Sequence, residues 1–361
     1  MEDIDRKLQE RLDDLATGFP ATESQVEMKI LKRLFNEEEA ELFLHLPPLL
    51  EDPEQVARQL GRDLQTTTAL MEQMAAKGLL FRQRKGETVR YAAVPYVVGI
   101  FEFQLARLDR EFVRENKEYF DTVFGRTIQS YSTPVLRTIP INRQLVADWP
   151  VAPYEDVIGI LESQETIAIA PCICRAMSRL DETGCDKPLE ACFSFGSHAH
   201  FYVENHMGRY ITKEEAKEIV KRNEEAGLVM QPFNSQKVGG MCSCCGDCCG
   251  VLKSLKKQPA PAKSVKSNYF AEVNGEECVA CETCLDRCQM EAIRIIDDRA
   301  VIDLDRCIGC GLCVTTCATE ALHLIKKSED FQYEPPKSGA ETYLRIALER
   351  GKNMMPQGLG S

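Results

Sequence analysis

Long apolar runs, nucleotide-binding loops and tryptophan are missing or scarce in this sequence. No apolar stretch is long enough to span a bilayer, and the N-terminus is acidic and polar, unlike a signal peptide. We therefore expect a cytoplasmic protein. Neither a P-loop nor a GxGxxG motif is present, so no nucleotide or flavin site is implied. The single tryptophan, Trp149, lies in a proline-rich stretch that we predict to be extended.

Positive charge is also in deficit, whereas cysteine is abundant. The net charge of −12 disfavours a general nucleic-acid partner and suits a redox protein that meets a basic docking surface. The chain has 17 cysteines in 361 residues. In a cytoplasmic protein this abundance indicates metal or redox chemistry rather than a disulfide scaffold. Length and a hydrophobic content of 44% predict two or three globular domains.

Eight cysteines form two runs of identical spacing, C-x2-C-x2-C-x3-C, near the C-terminal end. The first run is Cys278, Cys281, Cys284 and Cys288, and the second is Cys307, Cys310, Cys313 and Cys317. Zinc sites favour paired C-x2-C units with a longer gap, so three thiols in series fit zinc poorly. Short loops between successive cysteines instead let three thiolates converge on one cubane cluster.

Residues 270–326 resemble the bacterial-type ferredoxins that carry two 4Fe–4S clusters. In that family the fourth cysteine of each run ligates the cluster of the other run. The resemblance therefore implies two ligand sets: Cys278, Cys281, Cys284 and Cys317 for one cluster, and Cys288, Cys307, Cys310 and Cys313 for the other. The proline that usually follows the fourth cysteine is Gln289 in the first run and Ala318 in the second. That proline is not a ligand, so we expect the departure to matter little.

Short apolar segments between and after the runs complete this module. Ala292–Ile296 and Ala300–Leu304 flank Asp297 and Asp298, which is the pattern of a β-hairpin. Ala321–Ile325 is the counterpart after the second run. We expect these strands to form a thin apolar cover over the clusters, whose potentials depend on burial and on amide hydrogen bonds to sulfur.

The other nine cysteines form two groups in the middle of the chain. They are Cys172, Cys174, Cys185 and Cys192, followed by Cys242, Cys244, Cys245, Cys248 and Cys249. Four thiols suffice for one 4Fe–4S cluster or one tetrahedral zinc ion. Five cysteines on a short, glycine-bounded loop cannot all be core thiols. We predict all nine as metal ligands, for one or two further iron–sulfur clusters or zinc. A centre shared between the groups and a redox-active thiol pair are both open alternatives.

Residues 171–250 also look like a segment of iron–sulfur proteins from anaerobic bacteria and archaea. The shared order is C-I-C-R, then C-D-K-P-L-E-x-C, then E-E-A-x8-E-x-A-G-L-V, then a cysteine-dense loop. This resemblance implies electron transfer and names no substrate. Arg175 and Arg179 are candidates for balancing the charge of a metal centre. We interpret the H-x-H pair, His198 and His200, as exposed or hydrogen-bonded rather than as ligands.

Residues 28–98 have the pattern of a winged helix. Three helices, predicted at Glu37–Leu46, Pro53–Leu60 and Leu64–Lys77, precede a hairpin around Lys85 and Gly86. In a DNA reader the third helix would enter the major groove, but here its outward residues carry little positive charge. Six basic side chains are candidates for phosphate contacts: Arg58, Arg62, Arg82, Arg84, Lys85 and Arg90. We favour a docking or structural module over a DNA reader.

These patterns predict an α+β multidomain chain with a winged-helix-like domain, a central cysteine-rich α/β domain and a ferredoxin-like dicluster module. The predicted boundaries are a helical leader 1–27, winged helix 28–98, connector 99–165, cysteine-rich domain 166–255, linker 256–268, ferredoxin module 269–327 and tail 328–361. A linker of this composition would let the ferredoxin module move.

The leading prediction for function is an iron–sulfur electron-transfer protein, a polyferredoxin-like subunit or partner of a larger anaerobic oxidoreductase. Its expected partners are redox proteins, with no membrane span and with an oligomer possible. Catalysis by this chain alone is not required. Two alternatives are a redox-sensing winged-helix transcription regulator and a reductase with substrate chemistry at the central cysteines.

Overall fold

The computed structural model describes residues 2–128, 130–141 and 152–356, so Trp149 and part of the predicted extended connection lie outside it. The helices of the described residues are α1 Glu2–Asp14, α2 Val26–Leu34, α3 Glu37–His45, α4 Pro53–Leu60, α5 Leu64–Ala76, α6 Arg110–Tyr119, α7 Gly125–Thr127, α8 Val157–Glu162, α9 Ile173–Leu180, α10 Ser197–Glu204, α11 Lys213–Glu225, α12 Gly250–Lys256, α13 Pro261–Ser264, α14 Thr283–Arg287 and α15 Gly339–Glu349. The strands are β1 Leu80–Lys85, β2 Thr88–Ala93, β3 Ile167–Pro171, β4 Glu190–Phe195, β5 Arg209–Ile211, β6 Val229–Pro232, β7 Gly240–Cys244, β8 Tyr269–Val273, β9 Ile293–Ile296, β10 Arg299–Ile302 and β11 Leu322–Lys326.

Helices α1 to α6 and the hairpin β1–β2 pack around one N-terminal core. Leu8, Leu12 and Leu15 recur at helical spacing in the leader and are fully buried. The leader thus packs against α2 and α3 of its own chain. Asn36 and Asp63 accept hydrogen bonds from the first turns of α3 and α5 and so fix where these helices begin.

The central domain is built on a five-stranded antiparallel sheet in the order β5-β3-β4-β7-β6. Because side chains alternate along a strand, Ile169 and Phe193 lie on the face that packs with α8 and α11. Cys192 is paired with Cys242, and Cys244 lies two residues further along β7. The pleat therefore aims these three thiols at the opposite face of the sheet.

The antiparallel order differs from the α/β arrangement predicted for this domain. Its strands are joined by loops and by helices that return the chain in the opposite direction, so no parallel crossover is formed. Thr212 caps the start of α11, and its hydroxyl accepts from the Glu215 amide at 3.1 Å. The capping box that Thr212 and Glu215 favour is only half formed, because the Glu215 carboxylate pairs with Arg209 at 2.6 Å instead.

The C-terminal module consists of two antiparallel strand pairs and the short helix α14. β9 and β10 form the predicted hairpin, in which Asp297 and Asp298 both have positive φ, 50° and 57°. Two such residues form the tight turn that suits the twist of a hairpin. The counterpart strand β11 pairs with β8, which precedes the first cysteine run.

The segment predicted as a linker holds the module against the central domain. It contains α13, and Arg306 of the module donates to the carbonyls of Lys256 and Gln258 at 3.0 Å each. Arg287 donates to the carbonyls of Glu224 and Glu225 at the end of α11, at 2.7 Å each. These contacts oppose the free movement expected from the composition of the linker.

The C-terminal helix α15 returns to the N-terminal domain. Arg350 is paired with Asp13 at 2.7 Å and donates to the carbonyls of Leu15 and Ala16. Tyr343 donates to the Val98 carbonyl at 2.9 Å. No helix in the described part of the chain combines the length and the apolar character needed to cross a membrane.

Replacing Arg350 with methionine should lower the free energy of unfolding by about 3 kcal/mol, because the partly buried Asp13 carboxylate loses one partner and several carbonyls lose their donor. Arg345→Met is the matched control. Arg345 forms an exposed pair with Glu341 in the same helix, so its loss should cost less than about 1 kcal/mol. Urea-induced unfolding of the intact protein measures both changes. Equal midpoints for the two variants would contradict the stabilising role of Arg350.

Candidate metal centres

The eight cysteines of the C-terminal runs line two separate cavities. The first cavity is lined by Cys278, Cys281, Cys284 and Cys317, and the second by Cys288, Cys307, Cys310 and Cys313. Each cavity thus receives three thiols from one run and the fourth from the other. Loops with few regular elements place these side chains, and Gly309 has a positive φ of 68° where a Cβ would lie 2.1 Å from the Tyr269 carbonyl oxygen.

Backbone amides donate to several of these sulfurs. The amide of Ala300 lies 3.3 Å from the Cys278 sulfur, that of Ala292 lies 3.2 Å from Cys288, and that of Ala271 lies 3.4 Å from Cys307. Donors aimed at sulfur stabilise thiolates and the negative charge of a cluster. The donor set and the two cavities fit two cysteine-ligated clusters. Ala292 and Ala300 belong to segments predicted to cover the clusters, whereas Ala271 belongs to β8, which the sequence did not predict.

The two quartets differ in depth. Cys281 is exposed, and a hydrogen bond from Thr283 lowers the pKa of its thiol. Cys310 is half-buried, and loss of solvent around it raises the pKa of its thiol to about 12. The Ile141 amide also donates to the Cys310 carbonyl at 3.0 Å. The first quartet is therefore the one near solvent, and the second faces the central domain.

The dense cysteine loop of the central domain touches the second quartet. Gly246 donates to the side-chain oxygen of Gln289 at 2.7 Å, and a Cβ on Gly246 would lie 2.8 Å from the Gln289 carbonyl oxygen. Gln289 stands where related ferredoxins carry proline, which has no side-chain acceptor. The departure, expected to matter little, here provides a contact between the two domains.

All nine central cysteines converge on one region, but not in the groups that follow their order in the sequence. Cys172 and Cys174 lie where β3 passes into α9, while the dense loop follows β7. Cys185, Cys245 and Cys248 form a compact trio, and Cys172 belongs to the same apolar cluster as these three. The fold therefore divides the first predicted group of four: Cys172 and Cys185 lie in this cluster, whereas Cys174 and Cys192 do not.

The other five thiols neighbour one another in the series Cys174, Cys249, Cys244, Cys242 and Cys192, and Cys172 adjoins the first of them, Cys174. Hydrogen bonds from neighbouring thiols lower the pKa of Cys249 to about 5 and lower that of Cys242. The same hydrogen bonds, together with burial, raise the pKa of the intervening Cys244. Alternate thiols in the series are therefore suited to be thiolates, which is the protonation state that binds metal.

Arg175 lies beneath the cysteines and is completely buried. It donates to the carbonyls of Pro188 and Ser243 and lies 3.7 Å from the Cys245 sulfur. Arg179, by contrast, is exposed and donates to the Cys185 carbonyl at 3.2 Å. Of the two candidate counter-ions, Arg175 contacts a thiol directly and Arg179 shapes the loop that carries one.

A cavity of about 840 Å³ lies between the N-terminal domain and the central thiols. Its wall includes Cys174, Cys192 and Cys242 together with apolar side chains such as Phe101 and Phe103. The Glu102 carboxylate on this wall accepts from the Gly99 amide at 2.7 Å. Burial, with a smaller contribution from Cys242, raises the pKa of Glu102 to about 8. This size and lining are typical of small-molecule pockets.

The sequence did not single out Glu102, because a lone glutamate in the predicted connector carries no motif. The histidine pair behaves as interpreted. His198 stacks on Phe81 with ring centroids 4.7 Å apart, and His200 is hydrogen-bonded to the Tyr210 hydroxyl at 2.7 Å.

The arginines considered for DNA contacts are mostly engaged within the chain. Arg82 and Arg84 both pair with Glu72 and Glu204, and Arg82 is buried. Similar ion pairs hold Arg58 to Glu54, Arg62 to Glu38 and Glu41, and Arg90 to Asp52. Five of the six candidates therefore already face carboxylates, which opposes phosphate binding.

Glu102 should make stability depend on pH. Its folded-state pKa lies above the ordinary value of 4.5, so its contribution is full below that value and is lost as the pH rises through about 8. Relative to Glu102→Gln, the wild-type protein should lose about 1.4 kcal/mol per pH unit across this window. Urea midpoints measured along the pH series test this. The control variant Glu37→Gln, at an exposed position, should show the same dependence of the urea midpoint on pH as the wild-type protein. If Glu102→Gln also shows the wild-type dependence, the raised pKa of Glu102 is disproved.

Comparison with known proteins bears on the C-terminal region. No curated protein and no solved structure matches the chain. Residues 272–321 match the family model of the 4Fe-4S dicluster domain. This region spans both cysteine runs and both cavities. The C-terminal region is therefore a 4Fe–4S dicluster ferredoxin domain, which implies two 4Fe–4S clusters.

Proposed function

We propose that this protein passes single electrons through a series of iron–sulfur centres, as a polyferredoxin-like partner or subunit of a larger oxidoreductase. The observation that carries the proposal is the pair of four-cysteine cavities, one near solvent and one against the central thiols. The ligands would be the two quartets that line them. Each cluster changes charge by one electron, and no proton-transfer group is needed at either quartet.

A continuous apolar cluster supports a route from the second quartet to the central thiols. Cys288, Cys307 and Cys310 pack against the same buried cluster that contains Cys244 and Cys249. We therefore place a third redox centre of the proposed electron-transfer route at the five-thiol series. Its thiolates would hold a further iron–sulfur centre. Close packing without intervening solvent allows a short distance between two centres. It also lowers the reorganisation energy of electron transfer between them.

The solvent end of the route has the character of a docking surface for a basic partner. Cys281 is exposed there, and so is the neighbouring Val279. The acidic residues exposed on this module are Glu272, Glu276, Glu277, Glu282, Asp286, Glu291, Asp297, Asp298, Asp305 and Glu320. Such charge steers an oppositely charged protein toward the first cluster and makes the encounter dependent on ionic strength.

Single cysteine replacements test the ligand sets. Cys281→Ser and Cys317→Ser come from different runs, yet both should impair the first cluster, with the loss of up to about four irons each. Cys310→Ser should impair the second cluster instead. Iron and sulfide content and the EPR spectrum of the dithionite-reduced protein, prepared without oxygen, measure these outcomes.

The decisive comparison is that of Cys317→Ser with Cys281→Ser and with Cys310→Ser. Its spectrum should match that of Cys281→Ser rather than that of Cys310→Ser, although Cys317 and Cys310 belong to the same run. A match to Cys310→Ser would refute the crossed ligand sets. An unaltered iron content in all three variants would refute electron transfer through these quartets.

The cavity beside the five thiols favours a second candidate function, a reductase with substrate chemistry at the central centre. Cys174, Cys192 and Cys242 have side chains on the cavity wall, so a centre that they hold would be reachable by a small molecule. Glu102 on the same wall has the raised pKa of a group that can supply a proton near neutral pH. Electrons from the ferredoxin domain would reach this site over the apolar cluster described above.

Carbon monoxide distinguishes a reductase from a pure electron carrier. If an iron of the central centre is open to the cavity, carbon monoxide added to the reduced protein should alter the EPR signal of that centre alone. The two ferredoxin clusters serve as the internal control, because four cysteines fill the ligand positions of each. A spectrum that does not change on addition of carbon monoxide would exclude the open site and leave electron transfer as the function.

A further inference from the structure

Cys185, Cys245 and Cys248 are unusually close together. The sulfur of Cys185 lies 3.8 Å from that of Cys245 and 3.7 Å from that of Cys248, and all three sulfurs lie within 4.8 Å of one another. Among the described residues, this is the one group of three potential metal ligands that meets this limit. The eight ferredoxin cysteines, although they surround cavities, form no such group.

These separations have the dimensions of a single tetrahedral ion. With zinc–sulfur bonds of about 2.3 Å, the edge of a regular tetrahedron of sulfurs is about 3.8 Å. A cubane instead places its four cysteine sulfurs at the outer corners of a body several ångströms wide, so they lie further apart. The chain thus contains thiols at both kinds of spacing, the wide one in the ferredoxin domain and the narrow one at this trio.

Cys172 is the candidate for the fourth ligand. Its sulfur lies outside the group of three and neighbours that of Cys174, so zinc binding would require its side chain to turn toward the trio. It packs in the same small apolar cluster as Cys185, Cys245 and Cys248, together with Ala191 and Leu228. The pair Cys245 and Cys248 has the C-x2-C spacing common in structural zinc sites. Four thiolates on one ion form a closed site, since no position is left for water or substrate.

Donors to the sulfurs surround the trio. Arg175 lies 3.7 Å from the Cys245 sulfur, and the Ser178 hydroxyl donates to Cys248. Lys187 and Asp247, from the two loops that carry the cysteines, pair at 3.0 Å. Such outer contacts orient thiolate ligands and offset the negative charge of a four-thiolate site. The arrangement ties the loop after α9 to the loop after β7.

We propose that Cys172, Cys185, Cys245 and Cys248 bind one structural zinc ion, distinct from the iron–sulfur centres. The ion fixes the dense cysteine loop, and it leaves Cys174, Cys192, Cys242, Cys244 and Cys249 for a separate centre beside the cavity, whose wall Cys172 and Cys248 also reach. Zinc has no redox chemistry at this site, so the ion supports the electron route without belonging to it. The proposal does not depend on the function of the ferredoxin domain.

Metal analysis of the intact protein, purified without oxygen, tests the site. We expect about one zinc per chain in the wild-type protein, and near zero in Cys185→Ser and Cys248→Ser with iron and sulfide unchanged. The matched control is Cys192→Ser, which should keep its zinc. X-ray absorption at the zinc edge of the wild-type protein should give four sulfur neighbours at about 2.3 Å, and it needs no variant to fold.

The outcomes separate this proposal from the proposed function. A wild-type protein without zinc, or zinc with oxygen or nitrogen neighbours, would overturn the site, as would a loss of about four irons and sulfides in Cys185→Ser. Loss of zinc with intact ferredoxin EPR signals supports it. A protein that binds zinc but shows no reducible clusters would refute electron transfer and leave the zinc site standing.

Discussion

The crowding of thiols in the interior is the constraint on which the rest of this structure depends. Nine cysteines of the central domain lie near one another, and alternate members are suited to be thiolates. Buried negative charges of this density are stable only when cations are bound among them. Arg175 supplies one positive charge from below, and the metal centres proposed above would supply the remainder. On those proposals, the folding of this domain would be coupled to metal binding.

Hydrogen bonds to backbone atoms hold the ferredoxin domain against the central domain. Arg287, Arg306 and Gln289 each bond to backbone atoms across the boundary between the ferredoxin domain and the central domain. The second quartet lies at this boundary, so movement of the module would change the distance between centres. A rigid boundary keeps that distance constant. The return of α15 to α1 similarly fixes the N-terminal wall of the cavity.

Local patterns in the sequence were sufficient to predict the ferredoxin region and many elements elsewhere. The cysteine spacing predicted a dicluster domain, and turn residues placed the hairpins at β1–β2 and β9–β10. Helix α4 has the predicted bounds. These features depend on contacts between residues that are close in the chain. The capping box that Thr212 and Glu215 favour at the start of α11 is only half formed, because Arg209 from a neighbouring strand pairs with the Glu215 carboxylate.

The sequence by itself determined how many thiols were available and which of them could share a ferredoxin-type cluster. Only the tertiary structure decided which central thiols meet. Cys185 joins Cys245 and Cys248 across about sixty residues because the loops after α9 and β7 approach at one end of the sheet. The cavity and Glu102 are likewise products of packing between domains. Spacing along a chain specifies local loops, whereas long-range neighbours depend on how sheets and helices pack.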